Sequence, residues 1–306
     1  MKLFGPDRIR LASMAAVASL LWLMPAKAQQ TFNSPEEAVS ALAAAVKSGT
    51  KQDMLKVLGP NGEDIIDSGD DVADKASREK FLAAFDAKHS VKTDGKKAAS
   101  LIIGADDFPF PVPLIRTKTG WEFDTDRGRQ EILYRRIGQN ELDTIQTSLA
   151  FVDAENEYAD KDHGDGVGAY AQRIVSSPGK KDGLYWPSDN NDSPLGELAA
   201  EASAEGYKAG SGPQPYHGYY YRILTRQGDN APGGALNYVV NGKMIGGFAL
   251  VAWPADYANS GVVTFIVSHA GTVYEKDLGE NTEAIVKTMT SFDPDKSWRK
   301  VEPPSE

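Results

Sequence analysis

The chain has 306 residues, no cysteine and a formal net charge of −10 at pH 7. The missing thiols exclude disulfides, thiolate metal sites and cysteine nucleophiles. The negative balance argues against phosphate backbones and anionic lipid surfaces, so nucleic acid is not an expected partner.

Residues 1–28 read as an export leader. Lys2, Arg8 and Arg10 form a basic start, Leu11 to Met24 an apolar run, and Pro25-Ala26-Lys27-Ala28 a small-x-small cleavage pattern. The run is short for a bilayer and no later segment is long and apolar enough to replace it. The expectation is a periplasmic or secreted protein, cleaved near Ala28, with no membrane span in the mature chain. Calcium is compatible with the acidity, and solubility explains it more simply.

Residues 29–126 read as an N-terminal α+β domain. Ser34-Pro35-Glu36-Glu37 supplies an N-cap, a proline at the first helical position and two acids at the positive helix end. Ala38, Leu42, Ala45 and Val46 give that helix an apolar face, and Gly49 stops it. Lys51 to Leu58 predicts a second helix closed by Gly59-Pro60, and Ser77 to Lys88 a third with Phe81, Leu82 and Phe85 on one stripe. The period then changes. Ser90 to Thr93, Ser100 to Ile103, Val112 to Thr117 and Gly120 to Asp124 read as strands of a small curved antiparallel sheet. This order resembles the cone-shaped fold of nuclear-transport-factor-like domains, which host both enzymes and plain binding modules.

Residues 127–302 read as a second α+β domain. A long helix over about 127–160 carries Leu133, Ile137, Leu142, Ile145, Leu149, Val152 and Tyr158 at helical steps, which predicts that this side is buried, with Gly138 as a point of interruption. The polar stretch DKDHGDGVG follows. Asp160, Asp162 and Asp165 crowd oxygen ligands among glycines, which raises calcium as a ligand. Counted from Asp160 as an EF-hand loop, position five is Gly164, position six is Asp165 and position twelve is Ala171, so the register slips by one and the closing glutamate is missing.

From Ala169 to Pro213 the chain is mostly turns, with a short helix at Leu195 to Glu205. Trp186, Asp189 and Asp192 share one loop and would suit a sugar by stacking and hydrogen bonding; a tryptophan there also plugs core edges. Tyr219 to Leu224 alternates as a strand, Asn241-Gly242 marks a tight hairpin, and Gly246-Gly247 a bulge before the apolar Phe248 to Trp253. Val262 to Ser268 and Thr272 to Lys276 flank a second hairpin at His269-Ala270-Gly271. A four-stranded antiparallel meander packed on the long helix is expected.

The runs "ELDTIQTSLAFVDAENEYA", "GLYWP", "HGYYYRILT", "APGGALNYVVNGKMIGGFALVAWPADY" and "GVVTFIVSHAGTVYEKDLG" closely resemble an uncharacterised bacterial envelope family, domain of unknown function family 2950, over residues 32–302. The resemblance implies relatives without supplying a catalytic residue. Where that family suggests "DRDGDGVGEYA", this chain inserts His163 and carries Ala169 in place of an acid. The second half also looks like the globular part of type IV pilins and type II secretion pseudopilins, on "NELDTIQTSLAFVDAENEYA" and the closing meander. It lacks the apolar half-helix that packs such subunits into filaments.

No His-Glu-x-x-His, Gly-x-Ser-x-Gly or phosphate-binding loop is present. The expected function is a non-catalytic binding or assembly module of the cell envelope with a protein or glycan partner. The alternative is a periplasmic hydrolase of peptidoglycan or polysaccharide, its site sought at His217, Tyr219 and Arg222 and at the Asp189 to Asp192 loop.

Overall fold

The computed structural model describes residues 29–188, 192–208 and 214–302, so the expected leader and Asp189 lie outside the described residues. The first helix, α1 (Pro35–Ser48), begins as its cap demands: Ser34 accepts the Glu37 N–H at 3.1 Å, and the Glu37 carboxylate accepts the Asn33 N–H at 3.0 Å. It buries Ala38, Val39, Leu42 and Ala45 and packs on α2 (Lys51–Leu58). A 3-10 turn at Pro60–Gly62 leads to the short α3 (Glu63–Ile66) and then α4 (Asp71–Ala87). α4 starts earlier than the apolar stripe from Ser77 predicts, because Asp70 caps it by accepting the Val72 and Ala73 N–H groups.

Strands β1 (His89–Asp94), β2 (Ala98–Ile103), β3 (Phe108–Pro109), β4 (Leu114–Arg116) and β5 (Trp121–Phe123) form one antiparallel sheet in the order β1-β2-β4-β5, with β3 also on β2. β2 alternates half-buried and buried residues, the mark of a sheet with one covered face. Leu101, Leu114 and Phe123 meet Leu42, Met54 and Phe85 in the first hydrophobic core.

The long helix α5 (Thr125–Ala159) runs unbroken for 35 residues, about 52 Å at 1.5 Å per residue. Gly138 does not interrupt it. Gly128 is needed in its first turn: an added Cβ would lie 2.5 Å from the Val112 Cα. The buried side of α5 also differs from the apolar stripe. Leu142 and Leu149 are 51% and 42% exposed, whereas Asn140, Thr144, Ser148 and Glu155 are buried with Phe151, Val152 and Tyr158. The reason is a set of hydrogen bonds between helix and sheet that apolar side chains cannot make. Asn140 Nδ2 donates to Ser260 O at 2.8 Å, Tyr221 donates to Thr144 Oγ1 at 3.3 Å, and Glu141 accepts the Val262 and Val263 N–H groups.

After α6 (Gly196–Glu205) come β6 (Tyr219–Leu224), the short β7 (Arg226–Gln227), β8 (Leu236–Asn237), β9 (Val239–Val240) and β10 (Lys243–Met244), then β11 (Ala249–Pro254), β12 (Val263–Ser268) and β13 (Val273–Asp277). α7 (Thr282–Thr288), β14 (Ser291–Phe292) and β15 (Arg299–Lys300) complete the chain. The main sheet has five antiparallel strands in the order β15-β13-β12-β11-β6, one more than the expected meander. β15 is the addition, held at the edge by Arg299 donating to Glu275 at 2.7 Å.

Register explains why β11 is apolar on both faces. Tyr221, Ala252 and Phe265 pair across the sheet toward α5, and Arg222, Val251 and Ile266 form the next row toward α7. Both faces of β11 are therefore covered, as its buried ALVA run requires. The overall class is α+β. Among the described residues no helix is long and apolar enough to cross a membrane.

Candidate functional site

The two halves meet along a polar seam that holds a cleft of about 670 Å³. Its walls are Pro60, Asn61, Glu63 and Asp64 from the 3-10 turn and α3, Asp67 and Gly69 before α4, Asp126 and Arg129 from α5, and Asp256 and Asn259 from the turn after β11. Lys51 holds Glu63 at 2.7 Å and Asp67 at 2.8 Å, and Arg129 pairs with Asp64. The Lys51 contact keeps the Asp67 carboxyl below its ordinary range, and the Asp67 and Glu63 contacts push the Lys51 ammonium up. Asp126 takes Asn61 Nδ2 at 3.1 Å, and Asp256 takes Asn259 Nδ2 at 2.8 Å.

Arg136 stitches the floor of the seam. Its guanidinium donates to Asp64 O at 2.6 Å, to Ile65 O at 2.8 Å and to the Asn259 side chain, while Asn259 Nδ2 also donates to Asp67 O at 2.9 Å. Burial pulls the Arg136 guanidinium down from its ordinary value, against the pull of Asp74, Asp64, Asp67 and Asp256. Burial also raises the Asp74 carboxyl.

One residue beyond Gly69, the seam continues into a knot around His217. Asp70 accepts the Tyr207 hydroxyl at 2.8 Å and the Gly218 N–H at 3.0 Å, and Tyr207 in turn accepts the His217 N–H at 3.3 Å. The His217 ring lies between two carboxylates, Nδ1 at 3.3 Å from Asp143 and Nε2 at 3.3 Å from Glu205. His217 has φ of 49°, a left-handed backbone that few residues other than glycine adopt, histidine being with asparagine and aspartate among the more tolerant. Tyr207 and Tyr216 pack edge to face beside it, and burial raises both phenols well above their ordinary value.

The other sequence-derived residues are dispersed. Tyr219 is fully buried and donates to Val263 O at 2.9 Å, and its hydroxyl occupies the space that a Cβ on Gly261 would need. Arg222 lies on the opposite sheet face and caps α7 through Val286 O and Met289 O. Trp186 is 6% exposed, with Lys181 Nζ 4.8 Å from its ring centroid and His163 packed at 5.5 Å. Asp192 accepts the Trp186 indole at 3.0 Å, the Ser188 hydroxyl at 2.6 Å and Lys181 at 2.9 Å. Ser188 first, then Lys181 and Trp186, hold its carboxyl below the ordinary range. Asp189 lies outside the described residues.

In the acidic loop Asp162 Oδ1 accepts the Gly164 and Gly166 N–H groups at 2.8 and 2.9 Å, which lowers its carboxyl. Asp165 offers its backbone carbonyl to Lys243. Asp160, Asp162 and Asp165 do not form a cation cage, and no group of three or more His, Asp or Glu side chains that would hold a metal gathers among the described residues.

Pattern reading passes over Asp70, Arg136, Asp143, Glu205, Tyr207 and Asn259. Only Asp70 carries a local signal, as a cap after Ser68-Gly69; the others meet across more than a hundred residues or on polar helix faces. Neither the curated proteins nor the solved structures contain a match to this chain. The family model described as a protein of unknown function, DUF2950, matches residues 29–301, and the chain belongs to that family.

Proposed function

We propose that the protein is an exported, non-catalytic binding module of the bacterial cell envelope that receives a cationic, donor-rich group of a protein partner in the seam cleft. The observation that carries this reading is the cleft itself: an open polar groove between two packed halves, with walls fixed by Lys51, Arg129 and Arg136. Asp126 and Asp256 face it with side-chain amides as their hydrogen-bond donors, so an incoming ammonium or guanidinium gains two carboxylates without breaking an ion pair. The helix-on-meander order that resembles a pilin head supports an assembly role.

The test is calorimetric titration with a lysine- and arginine-rich peptide and with its acetylated, citrullinated counterpart. Salt-sensitive binding of the first alone, weakened roughly tenfold in Asp126→Asn and Asp256→Asn, is expected. Equal affinity for both peptides, or no effect of either substitution, would overturn it.

A hydrolase reading draws on one observation, the Asp143-His217-Glu205 arrangement. Both ring nitrogens already face protein carboxylates, which leaves neither directed at a substrate, and the binding reading is preferred. Turnover of peptidoglycan or polysaccharide by the purified protein, abolished in His217→Gln, would reverse that preference.

A further inference from the structure

The chain contains two Asn-Gly pairs in the described residues, Asn61-Gly62 and Asn241-Gly242, and the fold treats them in opposite ways. Both asparagine side chains are exposed. Asn61 is held: its Nδ2 donates to Asp126 at 3.1 Å, the following Gly62 is buried, and the Gly62 N–H donates to Gly59 O at 3.1 Å. A Cβ on Gly62 would already meet Leu58 at 3.1 Å, so little room remains around that peptide.

Asn241 sits at the tip of the β9–β10 hairpin, with φ of 52° at Asn241 and 80° at Gly242, the mirror-image turn that an Asn-Gly pair favours. Among the described residues its side chain has no hydrogen-bond partner, and neither does the Gly242 N–H. Nothing lies within 4 Å of a Cβ built on Gly242. The nucleophile and the carbonyl it would attack are therefore adjacent, unbonded and unobstructed.

We infer that Asn241 is a site of spontaneous deamidation, a self-modification of the hairpin tip that Asn61 is built to resist. The Gly242 backbone nitrogen attacks Cγ of Asn241, forming a C–N bond. The Cγ–Nδ2 bond breaks, and ammonia leaves with the proton that the Gly242 nitrogen gives up. The resulting cyclic imide takes up one water molecule. Opening at Cγ gives aspartate, and opening at the Asn241 main-chain carbonyl gives isoaspartate. The net change is water in and ammonia out, and it needs no oxidant, reductant or enzyme.

The two products differ in their effect on the fold. Aspartate keeps the turn and adds one negative charge. Isoaspartate adds a carbon to the main chain between Val240 and Lys243, which are register partners. It also displaces Gly242 O, which accepts Gln172 Nε2 at 2.8 Å, and Lys243, whose ammonium donates to Asp165 O at 2.8 Å. The modified turn would release the acidic loop from the hairpin.

The experiment incubates the purified protein in mildly alkaline buffer made with oxygen-18 water and follows the asparagine peptides by mass spectrometry. Heavy oxygen should enter the Asn241 peptide first, roughly fivefold or more ahead of the Asn61 peptide, the ratio that one protecting hydrogen bond supplies. Isoaspartyl methyltransferase should label the same peptide. Conversion of Asn61 as fast as Asn241, or an unchanged Asn241 peptide when other asparagines have reacted, would overturn the inference.

Discussion

The most unusual single residue is Glu155. It is fully buried in α5; Oε2 accepts the Ala171 N–H at 2.8 Å and Oε1 has no partner. Burial raises its carboxyl well above the ordinary value, and the Ala171 bond opposes this only in part. A carboxyl raised in the folded state binds its proton more tightly there than in the unfolded chain. Stability therefore falls as pH rises from the ordinary glutamate range toward the folded value. Glu155→Gln keeps an acceptor for Ala171 and cannot ionise. It should be about 1 to 3 kcal/mol more stable than the parent at mildly alkaline pH, with the difference vanishing in acid, as read from denaturant midpoints across pH. A parallel pair of curves would refute this. At Gly261, an alanine methyl would collide with Tyr219, and Gly261→Ala should cost about 1 to 3 kcal/mol by the same measurement.

At the scale of elements, α5 shows both how far pattern reading carries and where it stops. Its caps and length are local facts: Asp124 accepts the Arg127 N–H and the helix ends by Asp160, close to the 127–160 read from the residues. Four strands of the main sheet are equally legible, because alternation, the apolar run of β11 and the Ala-Gly turn between β12 and β13 are written within a few residues, whereas β15 carries no such signal. The buried face of α5 is not, since Asn140 and Thr144 are chosen by Ser260 and Tyr221, far away in sequence. Leu142→Gln and Leu149→Gln should therefore each change stability by less than about 0.5 kcal/mol. Asn140→Leu should cost about 1 to 3 kcal/mol, because it leaves the buried Ser260 carbonyl without its donor. The reverse order of effects would show that the leucine stripe is the packed face.

The seam is a property of the whole molecule, which is why the candidate site was the least legible part. Asp70 bonds Gly218 across 148 positions, and Asn259 bonds Asp67 across 192. No window along the chain contains such a pair. His217, by contrast, stands out in the sequence beside its tyrosines, and the fold brings Asp143 and Glu205 to it from distant elements. Asp70→Ala should cost about 3 kcal/mol, since it removes the α4 cap together with the Tyr207 and Gly218 bonds. Hydrogen exchange should then quicken both at the start of α4 and near Gly218. A response confined to α4 would show that the seam does not depend on this side chain.

α5 enters this picture as more than a packing element. Its first turns are sunk into the N-terminal half through Gly128, Arg129 and Arg136, and its later turns carry the main sheet through Asn140, Glu141 and Thr144. One unbroken helix is thus anchored in both halves. The two halves therefore share one helix without a break, and a partner of the proposed kind would meet a cleft whose width is set by that common rod.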